Sequence, residues 1–413
     1  MKNKTYNAVI TGYGYDGEGV CKVEGKVTFL PFVIKGEEVE LTLQKDTSSF
    51  CRGSVKAITS PSPLRENPPC PYFGCCGGCA YMHTTYQNEL EIKKQLLRSH
   101  LKKVGFEGTV HVVESPQRYG YRNKIKLFVD NDKIGLKIRR SDKVVDIEKC
   151  LLVSDKINEV IIFVRSFVKG QNLYQFLQEI IIREENGKVL INFVKSSNKK
   201  IDYQGLYLLV GKNLGIFETF NGQTLHKLGL ECLETEEFGL KCKFKPTSFH
   251  QVNRFVMPKM YQKVLELVKG KKVVNCYSGA GVLSGILLTK CERVIGIELG
   301  LSEHNDAQDL KIENNLKGLF NMHGDCGEVL SRIDSKDADM IVLDPPKAGI
   351  DKKVAERLNG FSCNKMVYVS CDSATMVRDI ARMDNFEIKE VYLFDMFACT
   401  GEYEALALLE KKS

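Results

Sequence analysis

Three short segments carry residues whose types suit covalent and acid–base chemistry. YVSCDSATM, residues 368–376, sets one thiol, Cys371, at the tip of an apolar strand and just ahead of a helix that Asp372 or Ser373 can cap. A helix N-terminus lowers a thiol pKa and raises its thiolate fraction, which suits a nucleophile. LDPPKAG, residues 343–349, ends another strand with Asp344, followed by two prolines that fix φ, remove donors and so stiffen the loop. MFACTGEYEALALLE, residues 396–410, offers Glu402 and Glu404. Glu404 opens an apolar strand, where partial burial would raise its pKa towards a base's working range. Position alone leaves the choice between these two carboxylates open. A cysteine at a strand end is more often structural, and an aspartate there is more often a turn cap. What separates Cys371 and Asp344 from that reading is that their two strand ends share one rim.

A second group of residues reads as a nucleoside pocket. VVNCYSGAGVLS, residues 273–284, is a buried strand, a glycine turn and the start of a helix. Gly279 and Gly281 allow a sharp turn and close backbone approach to a ligand. Seventeen residues beyond Gly281, the next strand ends in Glu298, where a carboxylate can accept from both hydroxyls of a ribose. HGDC, residues 323–326, ends the third strand, and Asp325 there can bond an adenine amino group. Nicotinamide binding competes, but Ser284 stands where the third glycine of that fingerprint belongs. Each acid alone reads as a solvated loop residue; three at successive strand ends favour the pocket.

CPYFGCCGGC, residues 70–79, holds four thiols in ten positions. The Cys70, Cys76, Cys79 spacing fits a metal or iron–sulfur site, with Cys75 as an alternative ligand and Cys150, after VVDIEKC, as the natural fourth. Structural zinc accepts four thiolates equally well, so the spacing selects metal without selecting which. The chain has fifteen cysteines; in a reducing compartment these are not a disulfide framework, and scattered ones such as Cys21, Cys51, Cys232 and Cys291 read as small buried hydrophobes.

These groups need a scaffold, and 413 residues are enough for two or three domains. Residues 1–59 read as five short strands, Tyr6–Gly12, Val20–Val23, Lys26–Phe32, Glu37–Gln44 and Phe50–Ile58, in a small barrel of the oligonucleotide-binding kind. Prolines 61, 63, 68, 69 and 71 mark a boundary. Residues 60–245 read as a central α+β domain, with an amphipathic helix over Thr85–Val104 and then an antiparallel sheet. Residues 246–413 alternate strands and helices as a doubly wound α/β domain that binds ligands at the strands' carboxyl ends, its last strand antiparallel to its predecessor. The formal charge of +7 is a mild basic excess. Arg118–Arg140 concentrates it, with eight Lys/Arg against two Asp and Tyr119, Tyr121 and Phe128 interleaved, a pattern suited to nucleic acid. No apolar run reaches membrane-spanning length and no secretory signal is visible, so the cytosol is the default expectation. Nothing sets the oligomeric state, and a monomer is the default.

Taken together, these motifs resemble the RNA 5-methyluridine methyltransferase family, and within it the bacterial 23S ribosomal RNA enzymes that carry an N-terminal TRAM barrel and an iron–sulfur cluster. The resemblance covers nearly the whole chain. It implies a TRAM domain over residues 1–59, a Rossmann-like methyltransferase domain using S-adenosylmethionine, and a [4Fe–4S] cluster on Cys70, Cys76, Cys79 and Cys150, zinc being the alternative. SFHQVN, residues 248–253, looks like the family's F-x-Q-x-N motif, which implies that Gln251 touches the methionine end of the cofactor. Tyr277, Glu298 and Asp325 match cofactor-binding positions, DPPKAG the loop whose Asp344 lies near the target base, SCD the nucleophile Cys371, and M-F-x-x-T-x-x-x-E assigns the base to Glu404. The implied activity is methylation of a uridine C5 in RNA, ribosomal RNA favoured over transfer RNA. Thiolate addition at C6 makes C5 nucleophilic, and a base must then remove the C5 proton. The chain departs from the pattern at Asn275, where an acid is usual, at Val282, and in FACTGEYE, which lacks a proline and a histidine before Glu404. A radical iron–sulfur enzyme and a non-catalytic RNA-binding relative are the other classes considered; the C-x3-C-x2-C spacing of the former is absent.

Overall fold

The computed structural model describes residues 4–14 and 17–412. The N-terminal strands form one six-stranded sheet. The first strand is split: Thr5–Val9 pairs with Glu38–Asp46 at one end of the sheet, and Gly12–Tyr13 pairs with Gly19–Val23 at the other. One bent strand bonding both ends curls the sheet into a barrel around Ile10, Cys21, Leu30 and Leu41. The barrel is tied to the central region by Glu18, which is 3% exposed and receives both Arg52 and Arg140.

The central region is a seven-stranded sheet with Leu177–Glu185 and Lys188–Lys195 in its middle. The helix Asp155–Gly170, capped by the Ser154 hydroxyl, packs Ile157, Val160, Ile161 and Val164 into the sheet's core. These recur at i, i+3, i+4 and i+7, the apolar stripe of a surface helix.

The C-terminal region is an eight-stranded sheet. Five strands that follow one another in the chain, Lys272–Cys276, Arg293–Glu298, Leu319–His323, Met340–Leu343 and Lys365–Ser370, are parallel. The last strand, Glu404–Lys411, inserts antiparallel between Lys365–Ser370 and Phe386–Phe394. Near-continuous apolar strands such as Met340–Leu343 fit a sheet covered on both faces, and two separate cores lie on those faces. The spatial order places the first and fourth strands side by side, so the chain reverses direction across the sheet there and opens a crevice at their carboxyl ends.

The eighth strand, Val110–Val113, comes from upstream of the 245/246 boundary expected from sequence and pairs in parallel with Phe386–Phe394. The helix Tyr86–Leu101, capped by Thr85 and continued by a 3-10 turn to Val104, buries Leu97 and Leu101 in the same core as Met376 and Ile380. Strand periodicity identifies a strand but not the sheet it joins, which depends on contacts far along the chain.

Candidate active site

The cofactor-side residues converge at the tips of the first three parallel strands. Tyr277, the first residue after its strand, has φ 62, a left-handed conformation that costs a bulky residue energy and that clusters at ligand sites. Gly279 and Gly281 also have positive φ, and a Cβ on Gly281 would lie 2.8 Å from the Ala307 Cβ. The Glu298 carboxylate holds this turn: one oxygen accepts from the Gly279 N–H at 2.9 Å and the other from the Gly300 N–H at 2.7 Å. Each oxygen keeps a lone pair for a further donor. Asp325 is exposed and caps the helix Cys326–Arg332, accepting from Gly327 and Glu328 N–H groups.

Phe249 and His250 of SFHQVN meet Asn275, Tyr277, Gly279 and Asp344 around a cavity of about 40 Å³. Gln251 is buried beside them in sequence but is not part of that cavity's wall. Asn275 donates to Ser284 at 2.8 Å, and its buried side-chain oxygen has no partner among the described residues. Such an orphan acceptor is costly without a ligand or water donor.

The chemistry-bearing residues stand on the next strands of the rim. Ser370 pairs with Ala405, so Cys371 and Glu404 lie one step beyond the last pair of adjacent strands. Asp344 follows Leu343, which pairs with Tyr368 on the strand leading to Cys371. Cys371, Lys347 and Glu402 line one pocket of about 60 Å³, and Lys347 and Glu402 are ion-paired across it. Glu404 is 4% exposed, and one of its oxygens has no hydrogen-bond partner among the described residues. Burial, reinforced by Asp344 and Glu402, pushes its carboxyl well above the ordinary range. Burial also lifts Asp344 to about 6. The sequence leaves Glu402 and Glu404 open by position; in the structure Glu402 is half-exposed and paired, and Glu404 is buried.

One expectation is overturned. The helix following Cys371 was expected to lower its thiol pKa, yet the thiol is pushed up to about 12. Asp372 takes the helix's leading N–H groups, bonding Ala374 and Thr375 at 2.9 Å. Burial then dominates, with Glu404, Asp344 and Glu402 raising the pKa and Lys347 alone opposing them. Lys347 is the residue sequence reasoning passed over. Its place in DPPKAG, immediately after the prolines that aim the loop, was the available signal.

Cys70, Cys76, Cys79 and Cys150 line one cavity of about 210 Å³, together with Arg122 and Lys149. Cys75 is exposed and outside it. Gly77 passes close to the neighbouring strand, where a Cβ would come within 2.8 Å of Arg139 N. Asn158 holds Cys150 by both its N–H and its carbonyl. Among the described residues, no three His, Cys, Asp or Glu side chains are gathered as if around a single ion. No helix among them is long and apolar enough to cross a membrane.

The strand order and the glycine crevice define the C-terminal region as a Rossmann-like methyltransferase fold. Comparison with known proteins agrees. The family described as tRNA (Uracil-5-)-methyltransferase matches residues 328–412, and the TRAM domain matches residues 1–56. The chain is 30% identical over 446 residues to an RNA methyltransferase of Clostridium tetani, covering 99% of this chain and 96% of that one. It is 26% identical to the 23S rRNA (uracil(1939)-C(5))-methyltransferase of Francisella tularensis subsp. novicida, covering 100% and 98%. The crystal structure of Pyrococcus abyssi tRNA (uracil-54, C5)-methyltransferase with S-adenosyl-L-homocysteine superposes with a TM-score of 0.80 at 26% identity, covering 98% and 100%. The chain belongs to the RNA uracil-C5 methyltransferase family.

Proposed function

We propose that this protein transfers a methyl group from S-adenosylmethionine to C5 of a uridine in 23S ribosomal RNA through a covalent adduct on Cys371. The observation that carries this reading is the placing of Cys371, Asp344 and a buried, protonation-prone Glu404 on one rim, beside the glycine crevice. Glu298, Tyr277, Gly279, Gly281 and Asp325 bind the nucleoside part of S-adenosylmethionine. The SFHQVN motif assigns Gln251 to its methionine end, and the orphan oxygen of Asn275, on the cavity wall, fits an ammonium donor. The Cys371 sulfur bonds to C6 of the extruded uracil, and the ring's electron pair moves to form an enolate over C5 and O4. C5 then bonds to the sulfonium methyl carbon as the methyl–sulfur bond breaks, and S-adenosylhomocysteine leaves with that electron pair. Glu404 takes the C5 proton, the enolate reforms, and the C6–S bond breaks to return the thiolate. Asp344 orients the base edge. The barrel and the exposed lysines of the Arg118–Arg140 stretch, Lys126 and Lys133, hold RNA by phosphate contacts and stacking, whereas Tyr121 is buried and Arg118 and Arg140 are bonded within the protein.

Cys70, Cys76, Cys79 and Cys150 would hold a [4Fe–4S] cluster. All four line one cavity of about 210 Å³, more room than a single zinc ion with thiolates at about 2.3 Å takes up. Arg122, Lys124, Lys126 and Lys149 around it suit the net negative charge that four thiolates would give such a group. When bound, such a group organises the RNA-facing central region.

A transfer RNA target is the second reading, favoured by the superposition with the Pyrococcus abyssi enzyme. That enzyme covers the barrel as well, so the barrel supports both. The test is tritium release from RNA carrying 5-tritiated uridine, with wild type and Cys371→Ala, followed by mass mapping of 5-methyluridine in ribosomal and transfer RNA from cells lacking the protein. Tritium release by Cys371→Ala would refute the covalent scheme, and loss of the mark from transfer RNA alone would assign the target to the second reading.

A further inference from the structure

The loop that delivers Glu404 is held largely from outside its own sheet. Residues 395–403 connect the strand ending at Phe394 to the one beginning at Glu404. Lys93, on the helix Tyr86–Leu101, is 0% exposed and lies between Glu89 at 2.8 Å and Asp395 at 2.6 Å, and it also donates to the Phe397 carbonyl at 3.2 Å. Glu89 accepts from the Cys399 N–H at 2.6 Å. The Cys399 carbonyl accepts from Ala80 N–H at 2.8 Å and Tyr81 N–H at 3.0 Å. Tyr121 donates to the Ala398 carbonyl at 2.9 Å, and Tyr86 donates to Asp395 at 2.7 Å. Cys399 keeps φ 66 within this web, a strain that persists only where the surroundings over-determine it.

Burying an ion triad is a poor way to gain stability, because well-packed apolar residues of similar volume often do as well. What charges add here is direction, since each oxygen of Glu89 and Asp395 fixes a named atom of the loop or of the segment that anchors it. Two groups that hold the Cys399 carbonyl, Ala80 and Tyr81, directly follow Cys79. The wall of the cysteine cavity and the approach to Glu404 are therefore one bonded unit.

We propose that Glu89, Lys93 and Asp395 are positioning residues for the methyl-transfer reaction: they fix the 395–403 loop so that the Glu404 carboxylate meets the C5 proton. This rests on the reading of Glu404 as the base. Proton removal comes after methyl transfer, so a misplaced Glu404 lets the first bond form and the methyl arrive but strands the methylated ring on Cys371.

The experiment uses full-length protein, methyl-tritiated S-adenosylmethionine, and transcripts of 23S ribosomal RNA and transfer RNA. It compares wild type, Glu404→Gln, Lys93→Met and Lys93→Met/Asp395→Asn. The double variant leaves no unpaired buried charge, because Glu89 still has Arg118 at 3.2 Å. Turnover, methyl-labelled protein–RNA adduct surviving denaturing electrophoresis, and the melting transition are read together. Turnover should fall about 10²-fold while the labelled adduct accumulates, as in Glu404→Gln. If turnover is retained, or is lost without adduct in a variant with an intact melting transition, the positioning role is overturned. If Glu404→Gln itself accumulates no adduct, the base assignment fails instead. Should neither Lys93 variant melt cooperatively, Tyr121→Phe decides, since it removes one loop bond and leaves the charges in place: a raised adduct fraction supports the proposal, and a wild-type fraction overturns it.

Discussion

In the RNA-free protein Cys371 should react with a small disulfide reagent far more slowly than an ordinary cysteine. Its thiol stands at about 12 against an ordinary 9.0. Three pH units lower the thiolate fraction at neutral pH by about 10³. A more basic thiolate is a better nucleophile, which returns roughly half of that on a logarithmic scale and leaves a deficit of about 30-fold. The perturbations are Glu402→Gln, which removes a carboxylate and releases Lys347 from its ion pair, and Lys347→Gln, which removes the opposing cation. The first should speed modification and the second should slow it. The assay is mass-spectrometric quantification of the mixed disulfide on the Cys371 peptide from pH 6 to 11. Limited access would slow the reaction equally at every pH, whereas thiol protonation gives a rate that rises throughout the range. A plateau with a midpoint at or below 9.0 would refute the electrostatic account.

Glu404→Gln should melt above wild type, by more at pH 8 than at pH 5. The folded-state pKa of Glu404 is raised, so its contribution is fully present below about 4.5 and is lost as pH rises through the folded value, at about 1.4 kcal/mol per pH unit; calorimetry showing a pH-independent difference would contradict this. His250 titrates near 3 because burial and Arg183 disfavour its charged form. The protein should therefore lose stability as pH falls below 6.5, and His250→Asn should flatten that limb of the melting curve. Gly281→Ala should weaken S-adenosylmethionine binding in calorimetric titration, since the turn needs φ 79 and the methyl group would press on Ala307; unchanged affinity would count against the crevice as the cofactor site. Cys76→Ser should lower the iron content of anaerobically purified protein as measured by mass spectrometry, and zinc in place of iron in the wild type would overturn the cluster assignment.

Much of the catalytic region was legible because its signals are local. An apolar run followed by Gly-x-Gly, or ended by Asp344 or Cys371, marks a strand and its tip without knowledge of any partner, and a strand does precede the Gly279 turn and another does end at Glu298, as the sequence places them. The thiol's protonation was misjudged because the helix end is local, whereas Glu404 and Asp344 reach Cys371 from other strands. The anchoring of 395–403 by Glu89 and Lys93 lay hidden for the same reason: on its own helix that pair reads as an ordinary i,i+4 surface bridge. Its burial depends on Asp395, some three hundred residues away.

The strand Val110–Val113 leaves the chain's order of synthesis out of step with its sheet. It emerges from the ribosome long before Phe386–Phe394, the neighbour it must bond, and waits while the whole central region is made. Until then its backbone groups and the apolar side of helix Tyr86–Leu101 stay open to wrong partners. A fragment cut at the linear boundary, residues 246–413, would in turn expose the bare flank of Phe386–Phe394 and tend to precipitate, whereas a circularly rearranged gene that starts at residue 114 and closes the old termini with a linker would let helix, strand and sheet assemble together.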